Sequence, residues 1–157
     1  ESYWPDQMLE AEHRAACHWD EDRAPELVDA QRIVEFVNRN YQEDDRIVLS
    51  DMMWYLSYIY YNRTDAQIRL YTPPAADGRS TRPNAYGFGT LVGEEVFLDQ
   101  LGDVSKGSTR MWLIGTLDEP DEFAALPEGW QRQGDVHAGG AFARLYVRGP
   151  GTDKPGG

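Results

Sequence analysis

Arg46-Ile47-Val48-Leu49-Ser50-Asp51 is the stretch from which the rest of the chain can be placed. Ile47, Val48 and Leu49 form an unbroken apolar run with two β-branched members. A run of that kind suits a strand covered on both faces, as in a parallel sheet under helices. A helical pattern ends at Tyr41 upstream, and Gln42-Glu43-Asp44-Asp45 makes a polar turn. Downstream, Ser50 and Asp51 are capping residues for a helix starting near Met52. Helix, turn, strand, cap and helix open an α/β layer fold. Ligands of open α/β sheets sit beyond the carboxyl ends of strands, which makes Ser50 and Asp51 the first candidates for a site. The plainer reading is that Asp51 only caps the helix.

Reading outward, Glu26 to Tyr41 repeats Leu27, Ala30, Ile33, Val34, Val37 and Tyr41 on one helical face, with Pro25 where a first-turn proline is tolerated. Met52 to Tyr61 is apolar and aromatic nearly all round, and its length and cap favour a helix. Its tyrosines could form a sugar- or lipid-contacting surface or simply pack against the sheet and an N-terminal segment. Asn62-Arg63-Thr64 matches a glycosylation acceptor, but it also fits a helix end running into a turn. Gln67 to Thr72 alternates as a second strand and is stopped by Pro73-Pro74, and Ala75 to Pro83 reads as a loop. Tyr86-Gly87-Phe88-Gly89 lacks the third glycine and the strand–helix setting of a dinucleotide fingerprint. Glu94 to Leu101 reads as a short helix and Gly102 to Ser108 as a turn. Arg110 to Thr116 is a second buried strand. Asp118-Glu119-Pro120-Asp121 opens a short helix through Phe123 and Leu126. Trp130 to Val136 and Ala141 to Val147 form a hairpin-like pair, and Gly149 onward is a tail.

These elements predict a three-layer, Rossmann-like α/β domain over residues 26–149. Its sheet is mostly parallel, with an antiparallel C-terminal pair, and right-handed crossovers place helices on the sheet faces. Residues 1–25 read as an N-terminal helical extension and 150–157 as a flexible tail. The 157 residues suffice for one domain with a real core, and a 41% hydrophobic content argues against global disorder. No apolar run approaches the roughly 20 residues of a membrane span, and no signal-peptide pattern follows Glu1. The abrupt start and glycine-rich end suit a piece of a longer protein.

The net charge of −12 argues against nucleic acid and anionic membrane surfaces as partners. A single cysteine, Cys17, rules out an internal disulfide. His13 and Cys17 would share a helical face beside His18, but no second cluster completes a metal site. Neither a Ser–His–Asp set nor a phosphate-binding Gly-Lys-Ser/Thr loop is legible, so no catalytic residue, metal or cofactor is expected. Convergence of the two strongest strand ends would bring Ser50, Asp51 and Trp54 near Thr116 and Asp118. The N–H groups after Asp51 could then hold a phosphate or sugar hydroxyl, with Trp54 or Tyr55 as a stacking face. Asp51 and Asp118 would favour a neutral sugar, or an anion escorted by a cation.

The order of segments resembles the C-terminal soluble domain of membrane-embedded glycosyltransferases that use lipid-phosphate sugars, the bacterial dolichyl-phosphate-mannose mannosyltransferase-like enzymes among them. The stretches that carry the resemblance are the helix Glu26 to Asn38, the strand entered through Asp44-Asp45-Arg46, the tyrosine-rich Trp54 to Tyr61, Arg110 to Gly115, and Trp130 to Tyr146. The resemblance implies a non-catalytic extracytoplasmic domain on a bacterial membrane enzyme. It would position acceptor or partner beside the membrane-embedded part of the same polypeptide, where that family keeps its catalytic aspartate. Two further readings of the chain are a free-standing flavodoxin-like or Rossmann-like enzyme or nucleotide-binding domain, and an interaction module using a Tyr/Trp surface.

Overall fold

A computed structural model describes residues 25–83, 93–104, 106–117, 121, 123–124 and 126–149. The N-terminal extension with His13, Cys17 and His18, the Tyr86 to Gly89 stretch, Asp118 and the tail lie outside the described residues. The elements run α1 (Pro25–Asn40), β1 (Arg46–Leu49), α2 (Met52–Tyr61), β2 (Ile68–Tyr71), a 3-10 turn (Glu94–Val96), β3 (Phe97–Leu98), α3 (Leu101–Val104), β4 (Arg110–Thr116), β5 (Trp130–Ala138) and β6 (Ala141–Arg148).

The six strands make one mixed sheet in the order β3-β2-β1-β4-β6-β5. β1 lies parallel to β2 and β4, and β2 parallel to β3, while β6 runs antiparallel to both β4 and β5. The fold is therefore of α/β type, with an antiparallel hairpin added to a parallel half. That hairpin closes through a two-residue turn in which Gly139 takes φ 58, as a tight strand reversal with matching twist requires.

The apolar runs of β1 and β4 are buried on both faces: Ile47, Val48, Leu49, Leu113 and Ile114 are each fully buried. Alternation divides them. On the first face, Ile47, Leu49, Ile68, Leu70, Trp112 and Ile114 pack under Ile33, Val34 and Val37 of α1 and Tyr55 and Tyr58 of α2. On the second, Val48, Tyr71, Met111, Leu113 and Phe142 pack with Leu98, Leu101, Val104 and Phe123. Both long helices thus cover the first face, and among the described residues the second face is covered by α3 and the segment around Phe123.

Three expectations need correction. Glu94 to Leu101 is not a helix: its apolar residues are split between a 3-10 turn, a two-residue strand and the start of α3. Phe97 and Leu98 are strand because β2 offers Leu70 and Tyr71 as parallel partners, a long-range pairing that local spacing does not record. Gly102 to Ser108 is in part the helical turn α3. In the Asp118 to Leu126 segment, the described residues Phe123 and Ala124 form a turn, with Ala124 N–H donating to the Asp121 carbonyl at 3.1 Å.

At the amino edge of the sheet, one carboxylate ties the turn into β1 to the start of β4. Asp45, whose side chain is 1% exposed, receives Arg110 Nε at 2.8 Å and Trp112 Nε1 at 2.9 Å. It also accepts from the Gln42 N–H at 3.1 Å, closing the turn that feeds β1, in which Asp44 takes φ 70.

Candidate functional site

The strand order reverses at β1. The chain leaves β1 toward β2 and β3 and returns to place β4 on its other side, which makes the carboxyl ends of β1 and β4 the expected crevice. The two ends are level, since Leu49 pairs with Ile114 and Ser50 N–H donates to the Ile114 carbonyl at 3.0 Å. Gly115 permits the close approach. A Cβ there would stand 2.8 Å from Ser50 Oγ and 3.0 Å from Phe142 Cζ.

Asp51 is an N-cap in fact. Its backbone is extended (φ −122, ψ 135), and Oδ1 accepts from the N–H groups of Met53 at 2.6 Å and Trp54 at 3.3 Å. The N–H groups expected to hold a phosphate or sugar hydroxyl are thus occupied by the chain's own carboxylate. Trp54 is half-buried against the first-face core. Tyr55 is buried within that core at 4% exposure, which leaves the stacking role expected of this pair to Trp54. Burial and the charge of Glu95 push the Tyr55 phenol up from its ordinary value. Ser50, against Gly115, faces the second side of the sheet. Thr116 alternates with Trp112 and Ile114 and so belongs to the first. Its Oγ1 is buried and has no hydrogen-bond partner among the described residues. The structure therefore brings Ser50, Asp51 and Thr116 to one edge but not to one face.

A polar cluster at the ends of β2 and β3 escaped the sequence reading. Asp99 receives Thr72 Oγ1 at 3.0 Å and a two-pronged contact from Arg82, with Nε at 3.2 Å and Nη2 at 2.9 Å. Arg82 also lies 5.4 Å from the centroid of the Phe97 ring. The Arg82 guanidinium holds the Asp99 carboxyl below its usual range against the opposing effect of burial, with a lesser contribution from the Thr72 hydroxyl. These bonds pin the loop after Pro73 across the carboxyl edge. The signal available was Asp99 itself, an acid placed directly after the Phe97-Leu98 pair.

The outer side of α2 is the other conspicuous feature. Met53 (68% exposed), Leu56 (45%), Ile59 (45%) and Tyr60 (74%) face solvent. The helix carries no charged residue from Met52 to Tyr61, on a chain of net charge −12. Asn62 caps its C-terminus, and Thr64 Oγ1 donates to Asn62 Oδ1 at 2.8 Å, so Asn62-Arg63-Thr64 forms the turn that ends the helix.

Among the described residues no three His, Cys, Asp or Glu side chains converge as a metal site, and no helix is long and apolar enough to cross a membrane. No family model, no curated protein and no solved structure matches the chain.

Proposed function

We propose that the chain is a non-catalytic extracytoplasmic domain of a bacterial membrane glycosyltransferase that uses a lipid-phosphate sugar donor. Its role is to position acceptor or partner beside the membrane-embedded part of the same polypeptide. The observation that carries this reading is the charge-free, apolar outer side of α2, where Met53, Leu56, Ile59 and Tyr60 are exposed. Exposed apolar groups clustered on one element are what an interaction surface requires, and an uncharged surface suits a neighbour poor in charge.

The finer fold reading, a three-layer Rossmann-like arrangement, belongs to the same proposal. It is supported by the β3-β2-β1-β4 half of the sheet with its reversal at β1. That reversal also favours a second reading, a small-ligand site at the carboxyl edge formed by Ser50, Asp51, Trp54, Thr116 and, beyond the described residues, Asp118. There the cap consumes one oxygen of Asp51, so a neutral sugar hydroxyl suits the edge better than a phosphate.

The test is made in the complete polypeptide in membranes. Leu56→Asp and Tyr60→Asp should lower transferase activity several-fold while the isolated domain keeps its urea midpoint. Unchanged activity in both variants contradicts the docking role. Chemical-shift changes confined to Ser50–Tyr55 and Thr116–Asp121 on titration with neutral sugars would favour the second reading instead.

A further inference from the structure

The second face of the sheet carries an arginine and aromatic row that the proposed function does not use. The register sets Arg46 beside Met111, Met111 beside Tyr146 and Tyr146 beside Arg132, across β1, β4, β6 and β5. Laterally paired residues project from the same face of a sheet. Met111 belongs to the second-face core and Tyr146 packs against it, which fixes the face for the whole row. The next pair along the hairpin is Trp130 with Arg148, and Trp130 packs against the same core. Three strand spacings separate Arg46 from Arg132, about 14 Å between Cα atoms. Arg132 therefore adjoins Tyr146, the buried Met111 separates Tyr146 from Arg46, and Arg148 and Trp130 lie alongside on the same face.

Arg132 is exposed, and Arg46, Tyr146, Arg148 and Trp130 are half-buried. Among the described residues neither Arg46 nor Arg132 forms an ion pair; Arg46 Nη1 donates to the Asp44 carbonyl at 3.4 Å. Asp45, the carboxylate next in sequence to Arg46, is committed to Arg110 and Trp112. Glu43, Asp44 and Glu128 occupy the adjoining turns and are exposed, so the row is a local cationic surface with an acidic rim. Three arginines rather than lysines favour planar, two-pronged contacts to an oxyanion. The Tyr146 and Trp130 rings add flat apolar area with a polar edge.

We propose that this row binds a small phosphate ester whose organic part carries a ring. The phosphate would lie between Arg46, Arg132 and Arg148, with the ring against Tyr146 or Trp130. A small molecule fits better than an anionic bilayer, because a bilayer meets the whole body of the protein, whose net charge of −12 opposes approach. The row lies at the amino edge of β1 and β4, opposite the carboxyl edge, so the proposal stands apart from the reading above.

The experiment is an NMR titration of the full chain with inorganic pyrophosphate, glucose 1-phosphate and free glucose, with a parallel arm of vesicles containing phosphatidylglycerol. Pyrophosphate and glucose 1-phosphate should shift the Nε–H signals of Arg46, Arg132 and Arg148. Glucose 1-phosphate should also shift the Trp130 indole, and free glucose should do little. The exposed substitution Arg132→Gln should weaken binding several-fold, Arg46→Gln with Arg132→Gln at least tenfold, and Arg63→Gln not at all. Circular dichroism verifies that each variant is folded, and Arg132→Lys, which keeps the charge, should lose less than Arg132→Gln. Shifts that ignore these substitutions, equal loss in the Arg63 variant, binding to vesicles alone, or no response at millimolar ligand would each overturn the proposal.

Discussion

Replacing Asp45 with alanine should destabilise the fold by about 3 kcal/mol, and the structure shows where that figure comes from. The carboxylate is almost wholly enclosed and accepts from Arg110 Nε at 2.8 Å, Arg110 Nη2 at 3.3 Å, Trp112 Nε1 at 2.9 Å and Gln42 N–H at 3.1 Å. Removing one partner of a fully buried ion pair costs roughly 3–5 kcal/mol. Arg110 moderates this, because its side chain is 19% exposed and Nη2 keeps the Asn40 carbonyl at 3.2 Å. Trp112 does not: at 1% exposure its indole N–H would be stranded, a loss of about 1–3 kcal/mol. The Gln42 donor is a backbone N–H in an exposed turn, where water can take the carboxylate's place. For a chain of this size, about 3 kcal/mol corresponds to a fall in Tm on the order of 6–12 °C. Urea unfolding at neutral pH, followed by tryptophan fluorescence and circular dichroism, measures it directly. Arg110→Met and the double variant complete a cycle whose coupling should exceed about 1 kcal/mol. A loss below about 1 kcal/mol for Asp45→Ala, or strict additivity in the cycle, would refute this reasoning.

Asp51→Ala should cost about 1 kcal/mol by removing the cap on α2, read as a lower urea midpoint, whereas Asp51→Asn should retain most of it. Gly115→Ala should cost about 1–3 kcal/mol, because its Cβ would meet Ser50 Oγ and Phe142 Cζ; adding Ser50→Gly should recover part of the loss. Burial, then the hydrogen bond to Asp65 at 2.7 Å, pushes the Tyr41 phenol up from its ordinary 10.0 to about 12. A group raised in the folded state stabilises it fully below its unfolded pKa. This contribution is therefore complete below pH 10 and fades between about 10 and 12. Asp65→Asn should bring the Tyr41 titration, followed by ultraviolet difference absorbance, back toward its ordinary value.

Much of the architecture was legible because several elements carry their own signals. Ile47 to Leu49 and Met111 to Ile114 are short unbroken apolar runs, which suit a strand covered on both sides, and both are buried. Ser50-Asp51 announced α2, which starts at Met52 as expected. The alternation of Phe142, Arg144, Tyr146 and Arg148 announced the last strand. What was not legible depends on distant partners. Phe97-Leu98 is too short to show a period and becomes strand only beside β2. The inward side of α2 could not be read because the helix is apolar all round; packing on the sheet beside α1 buries Tyr55 and Tyr58 and leaves Tyr60 exposed. The Asp45 network joins residues more than 60 positions apart, and no local pattern marks such a meeting. Of the candidate site, the sequence placed Ser50 and Asp51 at the strand end correctly. That Asp51 would occupy the helix N–H groups itself is a matter of side-chain geometry.

The complete reading frame that encodes Glu1 onward tests the proposed function most directly. A domain of a membrane glycosyltransferase requires several upstream apolar spans, each about 20 residues long, in frame with this chain. A start codon immediately before Glu1, or an upstream region without such spans, would contradict it and leave a free-standing domain.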